Sequence, residues 1–182
     1  ILEPERNRYL SGRAVEDTGL GDVDDKFQKN YRKTLGLLRD LTGAPSVGIV
    51  SEDSARGIIE IARPVGVVGA ITPSTNPVAT PTNKVMNALK GRNAIILAPS
   101  PRGEAVCGEL VELFQQALKR VGAPEALVQK LPHPINKADT ETLMREVDLV
   151  VATGSQNNIR AAYSSGTPAV GVPQCTWRLA RS

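Results

Sequence analysis

From position 65 onward the sequence alternates short, nearly continuous apolar runs with amphipathic stretches of helical length, and this alternation narrows the chain to one fold class. Strands are predicted over 65–71, 93–98, 127–131, 147–152 and 169–172, with helices over 77–90, 102–121, 137–145 and 155–163 between them. The helix over 102–121 shows the period plainly. Val106, Leu110, Val111, Phe114, Ala117, Leu118 and Val121 fall on one face, and Glu104, Glu112, Gln115, Lys119 and Arg120 lie opposite. Apolar strands that each lead into a helix make a parallel sheet covered on both faces, so the predicted fold is α/β.

The first 64 residues read differently. Leu10, Ala14 and Val15, then Phe27, Tyr31, Leu35 and Leu38, recur at helical spacing over 3–42, and Gly19-Leu20-Gly21 divides that run into two helices. Two β-rich runs, 47–50 and 57–61, are predicted to form a hairpin across Ser51-Glu52-Asp53-Ser54. Aromatic residues make up only 3% of the chain, so the core must be built from Val, Ile, Leu and Ala.

Charge narrows the partners. The net charge is +3, and Lys26, Lys29, Arg32 and Lys33 are interleaved with Asp24, Asp25 and Asp40, which reads as a solvated helix face. A nucleic-acid binder needs a basic stripe or stacking aromatics, and the sequence shows neither. No apolar run approaches the roughly 20 residues of a membrane-spanning helix. Two cysteines, with no signal peptide visible, point to reduced thiols and a cytoplasmic location. No metal-ligand spacing is present.

In open parallel sheets, ligands bind beyond the carboxyl ends of the strands. Three predicted strand ends carry polar or glycine-containing turns: Thr72-Pro73-Ser74-Thr75-Asn76-Pro77, Pro99-Ser100-Pro101-Arg102-Gly103, and Thr153-Gly154-Ser155-Gln156-Asn157. Backbone N–H groups and short hydroxyls at helix starts suit phosphate oxygens. Helix capping alone accounts for any one of Ser74, Ser100 and Ser155; three such turns converging on one sheet edge favour a ligand. His133, between prolines, reads as an exposed loop residue. Cys107 falls on the apolar face of its helix and reads as core, and Cys175 has no acid or histidine arranged beside it.

Several segments together resemble the acylating, CoA-dependent branch of the aldehyde dehydrogenase superfamily. They are Arg63-Pro64-Val65-Gly66-Val67-Val68-Gly69-Ala70-Ile71-Thr72-Pro73-Ser74-Thr75-Asn76-Pro77, Ala88-Leu89-Lys90-Gly91-Arg92-Asn93-Ala94-Ile95-Ile96, Ala98-Pro99-Ser100-Pro101-Arg102, Ala152-Thr153-Gly154-Ser155, and Ala161-Ala162-Tyr163-Ser164-Ser165-Gly166-Thr167-Pro168-Ala169. Ala14-Val15-Glu16-Asp17-Thr18-Gly19-Leu20-Gly21 and Gly48-Ile49-Val50-Ser51-Glu52-Asp53 fit the N-terminal part of the same family. The likeness covers residues 1–172, and the Pro-Ser-Thr-Asn-Pro and Ala-Pro-Ser-Pro runs look like the sulfoacetaldehyde type.

The resemblance implies an incomplete aldehyde dehydrogenase fold: a Rossmann-like parallel sheet with an N-terminal helical segment and an oligomerisation hairpin at 46–64. It implies a cysteine thiolate that attacks a small aldehyde, hydride transfer to NAD or NADP, and release of the acyl group to CoA in a homo-oligomeric parent enzyme. By the same likeness, Asn76 donates to the oxyanion. Thr72, Pro73, Ser74 and Thr75 lie on the nicotinamide side, Ser100, Pro101 and Arg102 border the adenosine, and Gly154 and Ser155 hold the pyrophosphate. Non-acylating relatives place a Lys and an acid near the adenosine ribose. Ala98 and Pro101 stand at about those places here, which leaves NAD and NADP both open.

The chain departs from that family at 173–182. This tail holds the one Trp and Cys175 and follows neither a helical nor a strand period. Where the family continues into Gly-Asn-Val-Pro and, in a second domain, its nucleophilic Cys, the chain has neither. Gln-Cys-Thr-Trp can be encoded CAA-TGT-ACC-TGG, and one nucleotide later AAT-GTA-CCT encodes Asn-Val-Pro. The expectation is therefore a truncated, out-of-frame end that leaves the fragment inactive, with a further piece missing before Ile1. The alternative is a non-catalytic module that docks on a full-length partner.

Overall fold

Helix α1 (Pro4–Thr18) opens on a proline in its first turn and ends at Gly19, whose φ of 63° lets its N–H close on the Val15 carbonyl at 2.8 Å. Helix α2 (Val23–Leu41) begins at Asp22, whose carboxylate accepts from the N–H groups of Asp24 and Asp25. A buried polar network joins the two. Asn30 donates to Asn7 Oδ1 and Ser11 Oγ at 3.1 Å each, and Asn7 donates to the Phe27 carbonyl at 3.0 Å. Buried amides are tolerated here because each finds a partner. The computed structural model describes residues 1–173; the expectations for Cys175, Trp177 and the rest of the tail lie outside the described residues.

Strands β1 (Gly48–Asp53) and β2 (Ile58–Ala62) form the expected antiparallel hairpin, but its turn is at 54–57 and not 51–54. The Asp53 carboxylate accepts from the N–H groups of Ala55 and Arg56, which starts the turn three residues later, and Gly57 completes it at a φ of 67°.

The main sheet is built from β3 (Val67–Thr72), β4 (Ala94–Pro99), β5 (Val128–Lys130), β6 (Leu149–Gly154) and β7 (Ala169–Pro173). All neighbours are parallel, in the order β5-β4-β3-β6-β7. Helices α3 (Ala79–Lys90), α4 (Glu104–Arg120), α5 (Lys137–Glu146) and α6 (Gln156–Tyr163) connect the strands. On one face Val68, Ala70, Ile95 and Leu97 pack with Val85, Ala88, Cys107 and Val111 of α3 and α4. On the other, Ile71, Ala98, Val150 and Ala152 pack with Leu143, Met144, Ile159 and Ala162 of α5 and α6. The near-continuous apolar strands follow from this double coverage. Helix α1 lies outside α4, through Leu10, Ala14, Val106 and Leu110.

Candidate functional site

The chain runs outward from β3 through β4 to β5, then returns to place β6 on the other side of β3. That reversal leaves a crevice between the ends of β3 and β6, where open parallel sheets take their ligands. A cleft of about 410 Å³ occupies it. Thr72, Pro73 and Ser74 line it after β3, Ser100 and Pro101 after β4, and Gly154 and Ser155 after β6. A neighbouring hollow of about 300 Å³ between α5 and α6 shares Ile71, Lys137, Thr140 and Asn158 with it and adds Glu141, Met144, Asn157 and Ala161.

Hydroxyl and amide side chains from several connections face the cleft. Thr72 is 2% exposed, and its hydroxyl has no hydrogen-bond partner among the described residues. Its carbonyl accepts from the Ser100 N–H at 3.0 Å, tying the β4 connection to the end of β3. Ser155 caps α6 by accepting from the Asn158 N–H at 3.4 Å. The capping account fails for the other two serines: α3 starts at Val78–Ala79, beyond Ser74, and Ser100 precedes a single 3₁₀ turn (Pro101–Gly103) without capping it. Among the described residues no carboxylate lines this cleft, and Lys137 is the one lining cation; its ammonium stands 3.4 Å from Glu141 Oε1.

Thr75, Asn76 and Arg102 are not among the lining residues. Asn76 is half-buried and donates to Thr75 Oγ1 at 3.3 Å, while Arg102 is exposed on its turn. Lys26 holds this loop from behind: its Nζ donates to the Thr75 carbonyl at 3.1 Å, with the residue 8% exposed. The expectation of a solvated face therefore fails at this one position, where the long stem crosses from α2 to the loop after β3.

A fourth wall escaped the sequence reading. Ile135 and Asn136 of the β5–α5 connection and Lys137 and Thr140 of the first turn of α5 line the cleft, with Asn136 capping α5 by accepting from the Asp139 N–H at 2.8 Å. The Pro132-His133-Pro134 break hid that strand end, and the Asn136–Asp139 spacing of a helix cap was the signal available.

Cys107 lies fully buried in the core, and burial pushes its thiol up to about 12. A thiol so far from its thiolate is no nucleophile. Among the described residues no cluster of three or more His, Cys, Asp or Glu side chains forms a metal site, and no helix is long and apolar enough to cross a membrane.

The family model described as "Aldehyde dehydrogenase family" matches residues 12–172. The sulfoacetaldehyde dehydrogenase (acylating) of Cupriavidus necator is 62% identical over 172 residues, which are 94% of this chain and 35% of that protein. An acetylating aldehyde dehydrogenase from Geobacillus thermoglucosidasius matches 94% of this chain and 38% of its own, with TM-score 0.88 and 39% identity. Propionaldehyde dehydrogenase from Rhodopseudomonas palustris, solved with bound propionyl-CoA, matches 95% of this chain and 38% of its own, with TM-score 0.79 and 34% identity. The chain spans about a third of the length of the curated relatives it matches.

Proposed function

The chain belongs to the aldehyde dehydrogenase family, and from that premise we propose that residues 1–172 are the nicotinamide-dinucleotide-binding portion of an acylating aldehyde dehydrogenase. The parent reaction converts an aldehyde, CoA and NAD or NADP into acyl-CoA and the reduced dinucleotide. Sulfoacetaldehyde is the aldehyde best supported, by the 62% identity to an acylating enzyme named for it.

The observation that carries this reading is the cleft at the β3/β6 reversal. Its residues fit a dinucleotide: among the described residues the buried Thr72 hydroxyl lacks a partner and no carboxylate lines the cleft to repel phosphate, and Gly154 leaves backbone bare just before α6. When bound, the dinucleotide supplies the hydride acceptor. Gly154 and Ser155 would face its pyrophosphate, Thr72 to Thr75 the nicotinamide side, and Ser100 to Arg102 the adenosine. The Asn76 amide, held through the Lys26–Thr75 contact, would donate to the aldehyde-derived oxyanion, a role for which a neutral amide is suited. With Cys107 sealed in the core, the described residues offer no thiolate, and on this reading they bind the dinucleotide and do not supply the nucleophile.

Titration of NAD+ and NADP+ into the chain and its Gly154→Val variant by calorimetry tests this. A β-carbon at 154 would already stand 3.2 Å from Asn158 Nδ2. Binding by the wild type and its loss in the variant is the expected result; equal binding by both would remove this turn from the phosphate site.

A second reading, assembly, is supported by the hairpin. Ile49, Ile58, Ile59 and Ile61 are 49–61% exposed on a two-stranded sheet that pairs with no other strand among the described residues. Isolated hairpins are marginal in water, so this one is suited to a partner copy. Co-elution with a full-length relative, abolished by Ile59→Lys and Ile61→Lys together, would support docking; separate elution of the wild type would exclude it.

A further inference from the structure

We propose that Glu104 is a positioning residue that holds the fourth wall of the cleft, formed by Ile135, Asn136 and Lys137, in place. The use of that wall for a dinucleotide rests on the reading above; the hold itself rests on the contacts of one carboxylate.

Glu104 begins α4, and its side chain is only 8% exposed. Three donors converge on it, one from the end of β5 and two from the β5–α5 connection. Oε1 lies 3.1 Å from His133 Nδ1 and 3.4 Å from Lys130 Nζ, and Oε2 accepts from the Ile135 N–H at 3.5 Å. Burial alone would push the Glu104 carboxyl up, but the hydrogen bonds from His133, the Ile135 N–H and Lys130 outweigh it and hold the group below the usual carboxylate range.

The surroundings are shaped for this contact. Gly108, one turn along α4, leaves room for the Lys130 stem: a β-carbon there would stand 3.2 Å from Lys130 Cε. Farther along, Gln115 donates to the Val128 carbonyl at 2.8 Å, so α4 grips β5 at both ends. Residues 132–135 contain two prolines, which have no N–H, and among the described residues their hydrogen bonds to the rest of the protein all end on Glu104. The next residues form the wall. His133 is exposed, as its place between prolines suggested, yet it is also one of the clasps.

Hydrogen exchange over 131–137 in the 182-residue chain, read together with NAD+ and NADP+ titration, tests the proposal. Glu104→Gln keeps the shape and removes the charge. It should speed exchange at Ile135 by about ten-fold and weaken dinucleotide binding by a similar factor, because hydrogen bonds to charged groups are the stronger ones. His133→Ala should loosen the same segment by a smaller factor, and Glu112→Gln, on the solvent side of α4, should leave it unchanged. Unchanged exchange in both Glu104→Gln and His133→Ala would overturn the proposal, as would a loosened segment with undiminished affinity. If the wild type binds neither dinucleotide, the cofactor reading fails, and exchange still decides whether Glu104 holds the wall. If Glu104→Gln does not fold, the exposed His133 variant decides on the same segment.

Discussion

A β-carbon on Gly103 would stand 2.6 Å from Cβ of Pro77, so the connection after β4 touches the connection after β3 at a point where no side chain fits between them. This contact, with the Ser100 N–H bonded to the Thr72 carbonyl, fixes two walls of the cleft against each other. Gly103→Ala should destabilise the chain by about 1–3 kcal/mol, the usual cost of overpacking. It should also weaken dinucleotide binding, since the walls must part. Urea unfolding and calorimetry on the same sample check both; an unchanged midpoint would mean the two connections are free to separate.

Thr72→Val should move stability and binding in opposite directions. Its hydroxyl is buried without a partner among the described residues, so an isosteric apolar group removes an unsatisfied donor and should leave the free chain as stable or more stable by up to about 1–2 kcal/mol. If that hydroxyl meets the dinucleotide, affinity falls by about ten-fold. Melting temperature and calorimetric affinity separate the two effects, and a loss of both would assign Thr72 a purely structural role.

Lys84 makes stability depend on alkaline pH. The residue is 7% exposed, its Nζ donates to the Val151 carbonyl at 2.8 Å, and burial pushes its amine down from 10.5 to about 8. Between those two values the unfolded chain holds a proton at this position that the folded chain has released, so stability rises with pH through that window. Below it both states are protonated and the penalty is constant. The rise attributable to Lys84 is about 3 kcal/mol. Urea midpoints from pH 7 to 10.5 should show it in the wild type and not in Lys84→Met.

The chain alone should form no NAD(P)H from an aldehyde and CoA. Cys107 should likewise resist a thiol reagent until the protein unfolds, because the thiol is fully buried and its titration is pushed up to about 12. CoA-dependent reduction that disappears in Cys107→Ala or in Cys175→Ala would contradict this directly.

The strand–helix alternation carried most of the fold into view because both sheet faces are covered, which writes β3, β4 and β6 as unbroken apolar runs. Boundaries moved by a few residues. The Asp53 side chain draws the hairpin turn beyond itself, and α3 begins at Ala79 and not at Pro77, with no side-chain cap. Of the cleft, the turns after β3, β4 and β6 were legible from their hydroxyls and glycines. The β5 side was not, since β5 is three residues long and its wall is shaped by a helix cap at Asn136. Buried polar partners were equally hidden. Lys26, Asn7 and Asn30 have the composition of a wet helix face, and only the tertiary arrangement shows that their hydrogen bonds end on other protein groups.

The β3–β6 pairing has a consequence for how molecules of this chain mature. The Val67 N–H donates to the Asp148 carboxylate across 81 positions of sequence, beside the register that sets Val68 against Leu149. Pairings of such long range form late, because loop closure must come first. The crevice does not exist until that pairing is made, so an unfinished chain has nothing for a ligand to grip. Any small molecule that fits the crevice therefore draws the population toward completed sheets in proportion to its concentration over its dissociation constant. It would serve during expression as a selective trap for correctly closed molecules, which gives a yield-based screen for ligands that needs no catalytic turnover.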